Sequence, residues 1–514
     1  MRFHLAMFES LRGKRVTVMG LGRFGGGVGA VRFLVDRGAR VTVTDLATAD
    51  AIAESLAQID DLPLERIRLD GHDEADFRDA DLIVASPAVS IDHPLIVAAE
   101  AAGVPVTTEI GLFWSHCRGR VIGVTGSVGK STTAAMIHAI LTASGRTAWL
   151  GGNIGGSLLP EVDRIGPDDW VVLELSSFQL ERLAPLKPRP RVAVVTNFRA
   201  NHLDRHGTLD AYRNAKQNLL RWQSDDDVAV LNAGDPDVAA WPTAARVSWF
   251  GRPADHSALT EQAQRFAQAK VQRSWFKPSD WLKAMSRSSL PIPNAENVPP
   301  IVLTLGSDEA FLANDGRGPM VFFLDLRQPG EHHRLNAAAA VAAALAIGVE
   351  PQAIGDALNA FAGLPHRLEI LGEIEDRLWV NDSKATTPES AIAALRAFDR
   401  PIRLIAGGAD KGVDLSPLAD EVIQRGIPVY LSGHTGPVVA NLLAQRGHPA
   451  FTLCESFDDS VAAARRDSHA GDVILLSPGC ASWGQFRDYR ERGERFAELA
   501  KRTASGPPIS ESET

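Results

Sequence analysis

The sequence predicts an α/β protein of three domains, the first and last Rossmann-like and the central one built around a phosphate-binding loop. Three observations predict this. Apolar strands alternate with helical stretches along most of the 514 residues, the pattern of parallel sheets with crossover helices. Two glycine-rich turns, at Gly20 and Gly126, each lie between a strand and a helix. The alternation also restarts twice, near residue 120 and after "GLPHRLEI". The expected domains are 1–112, 113–363 with an insertion at about 252–300, and 364–514.

In the first domain "KRVTVMG", "ARVTVTD" and "ADLIVASPAVS" read as strands, and "GLGRFGGGVGAVRFLVDRG" as a glycine turn entering a helix. Gly20, Gly22 and Gly25 spell G-x-G-x-x-G, and Asp45 ends the next strand. The helix N-terminus offers free N–H groups to a pyrophosphate, and an acid at that spacing reaches a ribose or base. A dinucleotide and a nucleotide sugar fit this pattern equally well.

In the second domain "GRVIGVTG" is a strand and "KSTTAAMIHAILTASG" a helix, followed by the strands "DWVVLELSS", "RVAVVTN" and "DDVAVLNAGD". Gly126, Ser127, Gly129, Lys130, Ser131 and Thr132 make a shortened P-loop, so the domain is of P-loop ATPase type. In such a loop backbone N–H groups cradle phosphates, the lysine neutralises charge and the Ser131 hydroxyl can reach magnesium. Glu174 ends an apolar strand, where an acid is costly unless paired or on a cation. His202 and Asp204 follow another strand, and Lys216 in "AYRNAKQNLL" reads as a surface lysine. The run "AAAAVAAALAIGV" from Ala337 is too short to span a bilayer and reads as a buried helix. The stretch from about 252 to 300 breaks the rhythm and reads as an excursion, and "SGPPISESET" as a disordered tail.

In the third domain "DRLWVNDS", "IRLIAGGAD", "PVYLSG" and "GDVILLSPG" are strands. Asp382, Ser383, Lys384, Thr386, Asp410, Lys411, Ser477 and Ser482 follow their carboxyl ends, where open parallel sheets hold ligands. Lys384 and Lys411 are suited to a carboxylate.

The formal net charge of −10 argues against nucleic acid or an anionic membrane as main partner. The three cysteines, Cys117, Cys454 and Cys480, lie far apart, which fits neither a disulfide framework nor a zinc site. With no signal peptide in "MRFHLAMFESLRGKR", a cytoplasmic protein is expected. A monomer is expected as well, though no sequence pattern decides it.

Assembled in order, the blocks "TGSVGKSTT", "GGNIGGSLL", "LELSSFQLE", "NHLDRHG", "AYRNAK", "GEHHRLNAAAA", "NDSKAT", "GGADKGVDL" and "LSPGCASWGQFRDYRERGERF" resemble the Mur ligase family, and within it the glutamate-adding branch. The resemblance implies ATP-dependent addition of D-glutamate to UDP-N-acetylmuramoyl-L-alanine in peptidoglycan synthesis, with L-glutamate or another amino acid as the alternative acceptor. It implies that Arg23, Phe24, Asp45, Ser86 and Asn153 hold the UDP substrate. It places His333, Arg367 and Asp382 around ATP, and Thr386, Lys411, Ser482 and Tyr489 around glutamate. Two magnesium sites are implied, drawing on Ser131, Glu174, His202 and a carbamylated Lys216. Four departures stand out: Val128 and His333 where the family has asparagine, no acid before His202, and Trp483, Gly484 and Tyr489 in the last motif. Two readings from other classes compete, a nicotinamide oxidoreductase resting on the first glycine turn and a non-catalytic nucleotide-binding protein.

Overall fold

The computed structural model describes residues 10–22, 25–252, 301–305, 310–314, 319–410 and 412–502. Arg23, Phe24, Lys411, most of the 252–300 excursion and the tail lie outside the described residues.

Each expected strand is present, and the described residues form three sheets. The first has five parallel strands. At its centre Arg15–Met19 lies between Arg40–Thr44 and Leu82–Ala85, with Arg66–Arg68 and Val106–Thr107 at the edges. Chain direction reverses its progress across the sheet between Arg15–Met19 and Leu82–Ala85, which opens a crevice beyond their carboxyl ends. The second sheet has nine strands. Arg120–Thr125 is flanked by Trp170–Glu174 and Val192–Val195, all parallel. Ala310–Asn314 and Pro319–Phe323 extend one edge as antiparallel strands. The third sheet has six strands. Its first, Glu369–Ile374, runs antiparallel to Arg377–Asn381, so this domain carries a hairpin on an otherwise parallel sheet.

Val, Ile and Leu fill the strands because parallel sheets are covered on both faces. Trp170–Glu174, Val228–Asn232 and Leu82–Ala85 are buried at every residue. The alanine run is a helix, Glu331–Ala346, and its residues Ala337 to Ala344 are buried.

Two compact units emerge: residues 1–325 with 335–359, and residues 326–334 with 360–514. The first two sheets share the first unit. The helix Glu109–His116 runs across the expected boundary at 112.

Candidate active site

The phosphate loop follows the strand Arg120–Thr125 and opens the helix Lys130–Ala143. Gly126 and Gly129 have φ of 144° and 86°. A Cβ on Gly126 would collide with the Thr196 hydroxyl, and one on Gly129 with the Asn336 amide oxygen. The loop is therefore held from behind. Thr196 Oγ1 donates to the Val128 carbonyl at 2.6 Å. Asn197 Nδ2 donates to the same carbonyl at 3.0 Å, and its Oδ1 accepts the Val128 N–H at 3.0 Å. These bonds grip the Val128 backbone, and its side chain points outward at 51% exposure. The change from asparagine to valine thus leaves the main-chain anchoring of the loop in place.

Lys130 Nζ folds back onto the Gly126 and Ser127 carbonyls, both at 3.0 Å. Ser131 and Thr132 are buried in the first helical turn, which carries no acidic residue. A helix start without a competing carboxylate is suited to an anion.

Lys216 is not a surface lysine. It lies one turn after Tyr212 on the helix Leu209–Gln217 and is 1% exposed. Its Nζ donates to the Gly126 carbonyl at 2.7 Å and sits 4.8 Å from the Tyr212 ring centroid. Tyr212 in turn meets Ser127 Oγ at 3.1 Å. Burial pushes the Lys216 pKa well below the ordinary lysine value; nearby Lys130 adds to this and Glu174 opposes it. Burial thus shifts the balance toward the neutral, nucleophilic amine.

Glu174 ends the neighbouring strand and is 1% exposed. Asn153 Nδ2 donates to its Oε1 at 2.9 Å, and its backbone N–H bonds the Glu174 carbonyl. Asn153 is thus tied to Glu174 through both its side chain and its backbone. His202 adopts φ of 53° at the start of the short helix Leu203–His206. Its exposed ring meets Phe178 edge-on at 5.0 Å and lies 6.3 Å from Tyr212. Among the described residues no group of three His, Cys, Asp or Glu side chains is placed to hold a metal. Glu174 and Ser131 offer the hard oxygen donors that magnesium prefers.

In the first domain Gly20 and Ser86 meet at the crevice: a Cβ on Gly20 would lie 2.8 Å from Ser86 Cβ. Asp45 uses both oxygens on backbone, Oδ2 accepting from Gly22 at 3.1 Å and Oδ1 from Ala47 at 2.9 Å. It thereby shapes the glycine turn.

The second unit gathers its own cluster. Asp382 accepts from Ser477 Oγ at 2.8 Å and from the Leu368 N–H at 3.2 Å. Burial raises its pKa to about 7, against the pull of these hydrogen bonds and of Arg367 and Arg492. Thr386 and Tyr489 are half-buried and Ser482 is buried. Lys384 Nζ lies 5.2 Å from the Tyr489 ring centroid. His333 is buried, and that burial, with His332 and Arg367 nearby, drives its pKa well down, so the ring is neutral.

Two residues escaped the sequence reading. Asn336 supports the phosphate loop and meets Thr133 Oγ1 at 3.4 Å. Its signal was a lone amide just ahead of the alanine run in that helix. Arg492, 2% exposed, ties the loop after Asn381 to the loop after Gly479 by bonds to Ser383, Cys480 and Ala481. It sits in the charged face of the helix Tyr489–Lys501 and gives no sign of burial in sequence.

Comparison with known proteins identifies the family. Three family models match in succession: the Mur ligase MurD-like N-terminal domain at residues 14–108, the Mur ligase middle domain at 124–298 and the Mur ligase glutamate ligase domain at 366–480. A UDP-N-acetylmuramoylalanine–D-glutamate ligase of Roseiflexus sp. (strain RS-1) is 38% identical over 498 residues, 96% of this chain and 99% of the relative. The chain belongs to the Mur ligase family. A ligase of the same name from Anaeromyxobacter dehalogenans (strain 2CP-C) is 39% identical over 505 residues, again 96% and 99% of the two chains. Among solved structures, the Mur ligase MurC of Thermotoga maritima, a UDP-N-acetylmuramate–alanine ligase, superposes with a TM-score of 0.56 at 20% identity, covering 94% of this chain and 98% of its own. That likeness bears on the fold alone. Among the described residues no helix is long and apolar enough to cross a membrane.

Proposed function

We propose that this Mur ligase joins D-glutamate to UDP-N-acetylmuramoyl-L-alanine at the expense of ATP, giving ADP and phosphate, in peptidoglycan precursor synthesis. The observation that carries the reading is the pairing of Lys130 and buried Lys216 on one loop carbonyl, that of Gly126, with Glu174 close enough to act on Lys216. The names of the relatives supply the substrates.

A carboxylate is a poor electrophile and must be activated. The alanyl carboxylate attacks the γ-phosphorus of ATP, ADP leaves, and an acyl phosphate remains. The glutamate amine then attacks the acyl carbon, phosphate leaves and the nitrogen loses a proton. Lys130 exchanges its two loop carbonyls for phosphate oxygens, and the backbone N–H groups of the loop and helix start hold the rest of the chain of phosphates. This offsets the repulsion between a carboxylate and a polyanion in the first step. His333, Arg367 and Asp382 contribute to ATP binding, with His333 acting as a neutral ring.

Ser131 and Glu174 would hold one magnesium ion. His202 would hold a second together with Lys216, whose neutral amine would first add carbon dioxide and lose a proton to become a carbamate. When bound, magnesium would supply charge neutralisation to the phosphoryl group in transfer. Asn153 orients Glu174 through its 2.9 Å bond and also contacts the UDP substrate. Asp45, Ser86, Arg23 and Phe24 bind the UDP end, and Thr386, Lys411, Ser482 and Tyr489 the glutamate. The enzyme acts in the cytoplasm as a monomer.

The test is ADP release with UDP-N-acetylmuramoyl-L-alanine and a panel of amino acids of both hands. D-glutamate is expected to drive release. A rate independent of any amino acid would overturn the reading, and a preference for L-glutamate or another acceptor would correct the substrate.

A further inference from the structure

Two arginines of the central domain capture four consecutive carbonyls of the first domain. Arg205 Nη2 donates to Pro87 at 3.0 Å and to Val89 at 2.8 Å, and its Nη1 donates to Ala88 at 2.7 Å. Arg182 Nη2 donates to Ser90 at 3.0 Å. The Arg205 guanidinium also lies 4.6 Å from the Phe178 ring centroid, and Phe178 and Arg182 share the helix Ser177–Leu183. A planar fork of five N–H donors serves three carbonyls at once; an ammonium group cannot reproduce that.

The captured segment follows Leu82–Ala85 and begins at Ser86, which abuts Gly20. It is thus one wall of the crevice at the glycine turn. At the other end, Arg205 lies on the four-residue helix Leu203–His206, which His202 begins. The same helix is pinned by His206, whose Nε2 bonds Ser177 Oγ at 2.9 Å and whose ring stacks on Phe178. The clamp therefore joins the crevice wall to His202 through one side chain and three residues of chain.

We propose that Arg205 is a positioning residue: it sets the distance between the crevice that takes the UDP end of the substrate and the loop where the acyl end reacts. The inference rests on the ligase reading. A long substrate held at both ends reacts only if the two anchors keep their spacing, and a displacement of about 1 Å can cost on the order of a hundredfold in rate. The phosphate loop is fastened separately, by Thr196, Asn197 and Asn336, so ATP binding does not depend on the clamp.

The experiment is steady-state kinetics of the full-length chain and its Arg205→Ala and Arg205→Lys variants, varying UDP-N-acetylmuramoyl-L-alanine and ATP in turn. Arg205→Ala is expected to raise KM for the UDP substrate roughly tenfold and to lower kcat, with KM for ATP within about twofold. Guanidinium at concentrations well below denaturing is expected to restore part of the loss in Arg205→Ala and none in Arg205→Lys. Equal rises in both KM values, no change in either, or no rescue of a folded Arg205→Ala would overturn the proposal. Should Arg205→Ala melt early, Arg205→Lys alone carries the test, through the same split between the two KM values. A wild-type chain inactive with this substrate would instead overturn the ligase reading, whereas an active wild type with unaltered variants would overturn only the clamp.

Discussion

Glu109 opens the helix Glu109–His116 on the first-domain side and accepts a hydrogen bond from the hydroxyl of Ser157, on the loop that also carries Asn153. Burial lifts its carboxyl from 4.5 to about 7, and the Ser157 bond only partly opposes this. The folded chain thus holds the proton more tightly than the unfolded one. Stability from this group is full below pH 4.5 and falls as pH rises toward about 7, above which the loss is complete. At about 1.4 kcal/mol for each tenfold in proton affinity, the loss amounts to about 3 kcal/mol. Glu109→Gln stays neutral and keeps an acceptor for Ser157. It should match the wild type near pH 4.5 and exceed it above pH 7 by up to about 3 kcal/mol, on the order of 5 °C in melting temperature. Calorimetric melts of both proteins between pH 4.5 and 8.5 read this directly. A gap between them that stays constant with pH would refute the reasoning, because it would mean that the carboxyl titrates alike in the folded and unfolded chains.

Further outcomes follow from the same geometry. Lys216→Ala should cut kcat by a hundredfold or more, roughly the cost of losing one group that stabilises developing charge, and added short carboxylates should recover part of the rate by taking the place of the carbamate; full activity without rescue would remove Lys216 from the mechanism. Gly129→Ala forces a φ of 86° on an L-residue and drives its Cβ into Asn336, so nucleotide affinity measured by calorimetric titration should fall at least tenfold while the UDP substrate still binds. Arg492→Met strands the carbonyls of Ser383 and Cys480 and leaves that of Ala481 with only the Ala409 N–H; it should destabilise the second unit by about 3 kcal/mol, visible as early cleavage within residues 360–502 under limited proteolysis. Asn153→Ala should lower kcat more than it raises KM for ATP, since it removes the amide that orients Glu174 Oε1 and leaves the bonds that anchor the phosphate loop intact.

Strands and helices were legible because both faces of these sheets are covered, and a covered strand must be written almost wholly in Val, Ile and Leu. The glycine turns were legible for a different reason: positive φ and close backbone approach admit no other residue, so chemistry leaves a mark at Gly20, Gly126 and Gly129. Short edge strands such as Val106–Thr107 and Phe451–Leu453 were missed, since two or three residues carry no period. The site divides along the same line. Lys130 and Ser131 announce themselves by their place after a glycine loop, whereas Lys216 looked like solvent-facing charge. Its burial is set by what packs on it from distant sequence, the Gly126 carbonyl and the Tyr212 ring, and no local pattern encodes that.

Arg205 and Arg492 make the same point more sharply. Each spends its guanidinium on backbone carbonyls, of residues 87 to 89 in one case and of 383, 480 and 481 in the other. A carbonyl acceptor is present at every residue, so such bonds impose no requirement on the partner's identity and leave no pairing to find. An arginine matched to an aspartate can be guessed from charge; one matched to main chain cannot. In this protein the segment after Ala85 and the loops after Asn381 and Gly479 are tied by the second kind, which is why Lys130 and Ser131 could be read in the sequence and these two arginines could not.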